Sequence, residues 1–212
     1  MHESYDYGLW TMVLINVLIF GGFVFSFLRP QKKVEWRSLG AFTAFIVALF
    51  AEMYGFPLTI YVLLSLFGGK WAAINPFEHV NGHLLGTILG APEWLKLVIC
   101  QIGGFFMLIG LIVMGKAWKQ IHAAQGELVT DGIYSKVRHP QYSGLFLITI
   151  GMLIQWPTLL TLIMWPILMV VYYRLAKREE KECEQQFGEE YQQYRQQVPA
   201  FFPVLRSDKE LA

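Results

Sequence analysis

The sequence has few charged residues, and neither sign dominates. Of its 212 residues, 16% are Asp, Glu, Lys or Arg, whereas soluble domains carry about a quarter. The formal net charge of +1 gives no global field to attract nucleic acid, so no nucleic-acid partner is expected. By contrast, 55% of the residues are hydrophobic, and the charges lie between long apolar runs. This pattern is typical of a protein embedded in membrane lipid.

Cysteine is scarce as well. The two cysteines, Cys100 in an apolar run and Cys183 in a charged one, suggest neither a disulfide framework nor a CxxC metal motif. No metal site is therefore predicted. Internal repeats, low-complexity tracts and long linkers are also missing from the sequence. We therefore interpret residues 1–212 as a single membrane domain.

Long apolar runs are abundant, and a membrane-spanning helix needs roughly 20 such residues. The first run follows an acidic flank without a small-residue cleavage site, which favours a retained span over a signal peptide. The second contains Gly55-Phe56-Pro57 and is predicted to be kinked or broken there. Only Trp156-Pro157 separates the last two, which predicts an antiparallel helical hairpin. The predicted fold is all-α and integral to the membrane, with five transmembrane helices at residues 9–28, 38–67, 94–118, 140–155 and 158–173.

Lys and Arg cluster on one side of these five helices. They occur in residues 29–37, 116–138 and 174–178, whereas the N-terminus and residues 67–94 have few of them. Because cytoplasmic loops are rich in Lys and Arg, the N-terminus is predicted outside and the C-terminus in the cytoplasm, as in a bacterial inner-membrane protein. A polar helical tail follows the fifth span, and Gly188 is predicted to break it.

Two polar groups fall on this cytoplasmic side. One is the segment 126–142, in which Arg138 and His139 precede a helix that begins at Pro140; the other is Glu179-Glu180 on the tail helix. The hairpin makes the two groups neighbours. Cations, a helix N-terminus and paired carboxylates can hold a zwitterionic small molecule. The alternative is a surface salt bridge between Arg138 and Glu179 or Glu180, without any ligand.

The same two groups carry a family resemblance. LVTDGIY at 128–134, RHPQYSG at 138–144, EE at 179–180 and FGEEY at 187–191 resemble the signature of the isoprenylcysteine carboxyl methyltransferase family and its phospholipid methyltransferase relatives. The resemblance implies S-adenosyl-L-methionine as cofactor. It also implies a methyltransferase core, which we assign to residues 94–212. The first two spans carry no such resemblance; we expect residues 1–93, with these spans and an outer loop, to lie on the substrate side.

The resemblance further implies which residues bind the cofactor. Glu179 matches a cofactor-binding carboxylate of the family, and Glu180 is its neighbour. Tyr134 and Tyr142 offer aromatic faces to the adenine or to the cationic sulfonium. The predicted cofactor-binding residues are Glu127, Leu128, Val129, Tyr134, His139, Pro140, Gln141, Tyr142, Glu179 and Glu180.

The methyl acceptor stays open at this point. Family members carry an Arg four residues before the matching glutamate, but here that position is Leu175, and Arg174 lies one residue earlier. One residue rotates a helical side chain by about 100°, so Arg174 need not take that place. Another family Arg is replaced by Ala200. We expect a lipophilic acceptor embedded in the membrane, bearing a carboxyl, thiol, amine or hydroxyl group, with membrane lipids as further partners; the oligomeric state is left open.

Three residues are candidates for catalysis. Arg138 belongs to the polar segment and Arg174 to the end of the fifth span, whereas Glu52 lies well inside the second span, where an ionisable group is costly. Glu52 could bind a substrate amine or act as a base. The alternative is a protonated Glu52 bonded to a backbone carbonyl that the kink leaves free.

Two other functions fit the sequence. Membrane reductases of the sterol type share a similar C-terminal architecture and use NAD(P)H. A non-catalytic membrane scaffold, whose loop and glutamates form salt bridges only, is the second. Binding of NADPH but not S-adenosylmethionine would indicate the reductase, and binding of neither would indicate the scaffold.

Overall fold

The chain is almost entirely helical. Its structure is a computed structural model that describes residues 7–28, 33–71, 79–124 and 126–203. No strand occurs within these ranges, which confirms the predicted all-α class. In chain order the elements are α1 (Trp10–Leu28), α2 (Lys33–Phe50), a π-helix (Ala51–Gly55), α3 (Leu58–Trp71), a 3-10 helix (His79–Gly82), α4 (Leu84–Ile88), α5 (Glu93–Ala123), α6 (Pro140–Gln155), α7 (Leu159–Phe187) and α8 (Glu189–Gln197).

Two of these helices, α5 and α7, are long and apolar enough to cross a membrane. A third crossing results if the bent pair Leu39–Gly55 and Leu58–Phe67, whose halves meet at 70°, counts as one span. α1 contains a shorter apolar stretch, Trp10–Phe23, and α6 has 16 residues. The described helices therefore provide two or three candidate spans of a membrane protein.

The predicted break in the second apolar run is present. α2 leads into the π-helix, and α3 begins after Pro57, which has no N–H to continue a helix. The carboxylate of Glu52 accepts a 2.8 Å hydrogen bond from the N–H of Thr59. Glu52 thus satisfies one of the backbone donors that the start of a helix leaves without a helical partner.

Glycines bring α5 and α6 into close contact along their length. Gly103 lies against Gly151 and Gly110 against Gly144. A Cβ added at Gly144 would stand 2.7 Å from the carbonyl oxygen of Gly110, closer than atoms can pack. Small residues allow membrane helices to approach in this way. The packing fixes the start of α6 beside the polar end of α5.

α6 and α7 form the predicted antiparallel hairpin. The indole N–H of Trp165 on α7 donates to Thr149 Oγ1 on α6 at 3.1 Å. Each helix nevertheless has its main packing partner elsewhere, because α6 packs most extensively against α5 and α7 against α2. The hairpin therefore connects the α5–α6 pair to the α2–α7 pair.

α7 extends beyond its apolar part into the polar tail, as the sequence predicts. It begins with a capping box, in which Thr158 Oγ1 accepts from the N–H of Thr161 at 3.0 Å. It ends at Gly188, whose φ of 57° is in the region that favours glycine. α8 then folds back from this turn, so the tail lies over the polar end of the hairpin.

Candidate functional site

A cleft of about 280 Å³ lies where the α5–α6 connection meets the polar end of α7 and α8. This volume is near the lower end for small-molecule pockets, about 300–1,000 Å³. Every predicted cofactor-binding residue lines it except Glu180. The lining residues are Ile121, Gly126, Glu127, Leu128, Val129, Tyr134, Arg138, His139, Pro140, Gln141, Tyr142, Glu179, Cys183, Gln186, Phe187, Tyr191 and Tyr194.

The α5–α6 connection is held in place by the end of α5. Gln120 Oε1 accepts a 3.1 Å hydrogen bond from the N–H of Ile133. Gly132 has a φ of 55°, and a Cβ there would be 2.0 Å from Gln120 Nε2. Only glycine fits this turn without displacing Gln120. The position of this loop, which forms one wall of the cleft, therefore depends on its contact with α5 as well as on the sequence of the loop.

The C-terminal segment holds the backbone at the start of α6 through hydrogen bonds. The N–H of Arg138 donates to the carbonyl of Pro199, and the N–H of His139 donates to the carbonyl of Ala200, both at 2.9 Å. The two chain segments thus run side by side at the entry to α6. This pairing fixes the backbone of the two residues that precede the helix.

Glu180 is buried at the centre of a cluster of cations. It accepts from Arg138 Nη2 at 2.6 Å, from His139 Nε2 at 3.2 Å and from Lys177 Nζ at 2.7 Å. The side chains of Arg138 and Glu180 are only 8% and 3% exposed. Arg138 also donates to the backbone carbonyl of Val198. The ion pair considered from the sequence is therefore present, but in a buried rather than a surface form.

Glu179 faces the cleft instead. Its side chain is 40% exposed, and its Oε2 lies 3.6 Å from His139 Nδ1. The hydroxyl of Tyr142 donates to its Oε1. Two consecutive glutamates therefore occupy different surroundings: Glu180 contacts the protein alone, and Glu179 is held in position with one side open to a ligand.

His139 joins the two carboxylates. Burial alone would lower its pKa, but hydrogen bonds and charge from Glu179 and Glu180 outweigh burial and raise the pKa of His139 above its ordinary value of 6.5. When it is protonated, the imidazole neutralises part of the negative charge beside the cleft.

Tyr134 presents a buried polar atom to the cleft. The residue is 5% exposed, and its hydroxyl has no hydrogen-bond partner among the described residues. Burial, together with the nearby Tyr194 and Glu179, raises the pKa of Tyr134, so the hydroxyl remains neutral. A buried hydroxyl without a partner is costly. The Tyr134 hydroxyl is therefore a candidate donor or acceptor for a ligand.

The structure places Glu52 far from this cleft. Its partner Thr59 accepts, through Oγ1, a 2.8 Å hydrogen bond from the N–H of Leu159 at the start of α7. Glu179 lies towards the other end of that helix, about 30 Å away at 1.5 Å per residue. As the sequence alternative suggested, Glu52 bonds to a backbone group at the break, but the group is a donor and not a carbonyl.

Arg174 is also outside the cleft. It is exposed on α7, whereas the next residue, Leu175, is buried in the core. The rotation expected for consecutive helical residues accounts for this difference. Of the three predicted catalytic residues, only Arg138 borders the cleft, and its guanidinium is bound to Glu180.

Comparison with known proteins places these features in a family. The Phospholipid methyltransferase family matches residues 94–190. The chain is 30% identical to the protein-S-isoprenylcysteine O-methyltransferase of Rattus norvegicus, over 90% of this chain and 74% of that protein. This chain belongs to the isoprenylcysteine and phospholipid methyltransferase family.

Other members of this methyltransferase family are also similar. The protein-S-isoprenylcysteine O-methyltransferase of Schizosaccharomyces pombe is 30% identical over 66% of this chain, and the chain spans 62% of its length. The methanethiol S-methyltransferase of Crocosphaera subtropica is 27% identical over 93% of this chain and 77% of its own. No solved structure is significantly similar to the chain. The named relatives are methyltransferases, so the family is one of enzymes.

Several residues that line the cleft were not predicted as site residues from the sequence. Cys183, Gln186 and Phe187 follow Glu179 on α7 at helical spacing, which is the signal that could have identified them. Tyr191 and Tyr194 on α8 also line the cleft, and Tyr194 donates through its hydroxyl to the backbone carbonyl of Tyr134 at 2.7 Å. Their i, i+3 spacing predicts a shared helix face but not what that face covers.

Proposed function

We propose that the chain is a methyltransferase that binds S-adenosyl-L-methionine in this cleft. The observation that carries the proposal is the unpartnered hydroxyl of Tyr134 beside the open carboxylate of Glu179, inside the segment that matches the family. Glu179 would accept from the amine of the methionine moiety. The first N–H groups of α6, at Gln141 and Tyr142, would favour its carboxylate. The aromatic ring of Tyr134 or Tyr142 would contact the adenine or the sulfonium.

S-adenosylmethionine supplies an activated methyl group on a sulfonium centre. The protein has the tasks of orientation and of exclusion of water. The cluster around Glu180 holds the side chains of Arg138 and His139 in place, and the hydrogen bonds to Pro199 and Ala200 hold their backbone. Under this proposal Glu180 positions the site without touching the cofactor, and Glu52 and Arg174 take no part in the transfer.

The acceptor is proposed to be a lipophilic molecule with a neutral nucleophile, such as a thiol or an amine. The cations among the described lining residues are Arg138 and His139, and both are bound by glutamates. Arg174 is exposed away from the cleft, and Leu175 belongs to the core. This arrangement leaves no cation to receive an acceptor carboxylate, which favours the neutral nucleophiles.

The membrane arrangement is proposed to comprise five spans, with α1 and α6 added to the candidate spans and the bent pair counted as one. The N-terminus would lie outside and the cleft would face the cytoplasm of a bacterial cell. The cations Arg174, Lys177 and Arg178 in the polar part of α7 support this orientation. Residues 94–212 would form the catalytic core, and residues 1–93 would contribute to the acceptor side.

Isothermal titration of the detergent-purified protein tests the cofactor. We expect binding of S-adenosylmethionine and none of NADPH. Binding of NADPH alone would indicate a reductase, and binding of neither would leave a scaffold as the better description. Transfer of a labelled methyl group to a thiol, an amine and a carboxylic acid of the same alkyl chain tests the acceptor. Labelling of the carboxylic acid alone would contradict the proposed class.

A further inference from the structure

A second groove lies on the other side of the loop that forms the cleft. It has a volume of about 690 Å³. Within the loop, Ile133 and Val137 line the groove, whereas Tyr134 and Arg138 line the cleft. The two cavities therefore share a wall without sharing these residues, and the proposed methyl transfer makes no use of the groove.

Three lysines surround one part of this groove. Lys116 and Lys119 lie in the last turns of α5, and Lys136 lies in the loop opposite them. All three are exposed. None of them forms an ion pair with any residue in the described part of the chain. The positive charge they concentrate is thus available to an anion from outside the protein.

Apart from Gln120 and Ser143, the rest of the groove is apolar, and it lies along α5, a candidate membrane span. Val113 precedes Lys116 by almost one turn of α5, and Leu147 on α6 and Phe202 also belong to the apolar surface. A ligand that fits must have an anionic group for the lysines and a hydrocarbon chain for this surface. A soluble anion would contact only the lysines, and a neutral lipid would contact only the apolar surface.

We propose that this groove binds an anionic phospholipid of the surrounding membrane. The phosphate would contact Lys116, Lys119 and Lys136, and an acyl chain would lie against Val113 and Leu147. The bound lipid is not the methyl acceptor, because Phe201 lines the groove and its ring packs against that of His139, with 5.5 Å between the ring centroids. These two rings separate the groove from the cleft.

Native mass spectrometry of the full-length protein in detergent tests the proposal. The probes are phosphatidylglycerol and phosphatidylcholine with identical short acyl chains, and inorganic phosphate as a soluble anion. We expect preferential binding of phosphatidylglycerol. One lysine near an anionic lipid headgroup contributes about a fivefold change in affinity, so K116Q/K119Q should reduce the preference by about thirtyfold. K136Q alone should reduce it by about fivefold.

The matched control is R178Q/K181Q, which removes the same charge from exposed positions on α7 near the same end of the molecule. It should keep the preference for phosphatidylglycerol. An equal loss in this control would show a diffuse surface effect and overturn the groove as a site. Unchanged binding in K116Q/K119Q, or equally strong binding of inorganic phosphate, would overturn it as well. The experiment measures lipid binding, so its result does not depend on whether the proposed methyl transfer is correct.

Discussion

The two buried glutamates of this protein differ in the partners that surround them. Glu180 accepts from three cationic side chains at one end of α7. Glu52, near the other end, accepts from the N–H of Thr59 through Oε2, and its Oε1 has no partner within the described residues. Glu52 attracts attention in the sequence because a carboxylate inside an apolar span is costly, and Glu180 does so as the neighbour of Glu179 in the family signature.

Under the proposed function, burial alone does not identify the carboxylate that binds the ligand. The fully bound Glu180 fixes the walls of the cleft, and the sparsely bound Glu52 completes a broken helix. The residue proposed to contact the cofactor is Glu179, which is only partly buried. The open carboxylate next to a fully bound one is therefore the more informative signal of a ligand site.

The comparison is tested most strongly by Glu180→Ala. Removal of this carboxylate leaves Arg138, His139 and Lys177 without their common acceptor. Loss of one partner from a buried ion pair costs about 3–5 kcal/mol. We expect the free energy of unfolding to fall by that amount, measured by thermal unfolding in detergent. A control at the exposed Lys181, K181A, should change stability little, and a Glu180→Ala protein as stable as this control would contradict the role given to Glu180.

The second test is Glu179→Gln, which should separate binding from folding. A hydrogen bond to a charged group contributes about 1.5–3 kcal/mol, so S-adenosylmethionine should bind about ten- to hundredfold more weakly. Thermal stability should remain near that of the unmodified protein, since the side chain is partly exposed. Isothermal titration measures the affinity, and Glu190→Gln on the exposed face of α8 is the matched control. Equal affinities in the two variants would exclude Glu179 from the cofactor site.

The third test concerns Glu52. Glu52→Leu leaves the N–H of Thr59 without an acceptor, which should cost about 1–3 kcal/mol of stability. Glu52→Gln retains an acceptor oxygen and should be nearly as stable as the unmodified protein. Methyl transfer by Glu52→Gln should also be normal, as measured with labelled methyl donor. Loss of transfer in a stable Glu52→Gln protein would restore Glu52 as a catalytic base.

The smallest expected effect is a pH dependence from His139. The carboxylates raise the pKa of His139 in the folded protein. Its contribution to stability is therefore complete below the unfolded-state value of about 6.5 and is lost as pH rises through the raised pKa. We expect the melting temperature to decline over this window, and His139→Gln to remove that part of the decline. An identical pH profile in the variant would show that another group is responsible.

The sequence predicted those features that follow from short connections. The three-residue link between α6 and α7 makes the start of one helix and the end of the other neighbours, so the contact of Arg138 with Glu180 could be predicted. Gly188 and the break before Pro57 were likewise predictable, because glycine and proline act on the backbone locally.

Which of Glu179 and Glu180 is buried and which faces the cleft could not be predicted from the sequence. Consecutive residues of a helix point about 100° apart, and the position of Arg138 and His139 beside α7 decides which glutamate is buried. The role of residues 198–201 was also beyond prediction, since Pro199 and Ala200 act through their carbonyls and every residue type has one. The second groove combines residues that are distant in the sequence, and only the fold brings them together.

The hydrogen bonds from Arg138 and His139 to Pro199 and Ala200 also set the order in which the site can be completed during synthesis. The ribosome synthesises α1 to α7 before residues 198–201. Until then, the N–H groups of Arg138 and His139 lack the carbonyl groups that accept their hydrogen bonds. A protease cut or a premature stop after Gly188 would therefore remove these acceptors together with Tyr191 and Tyr194, which line the cleft.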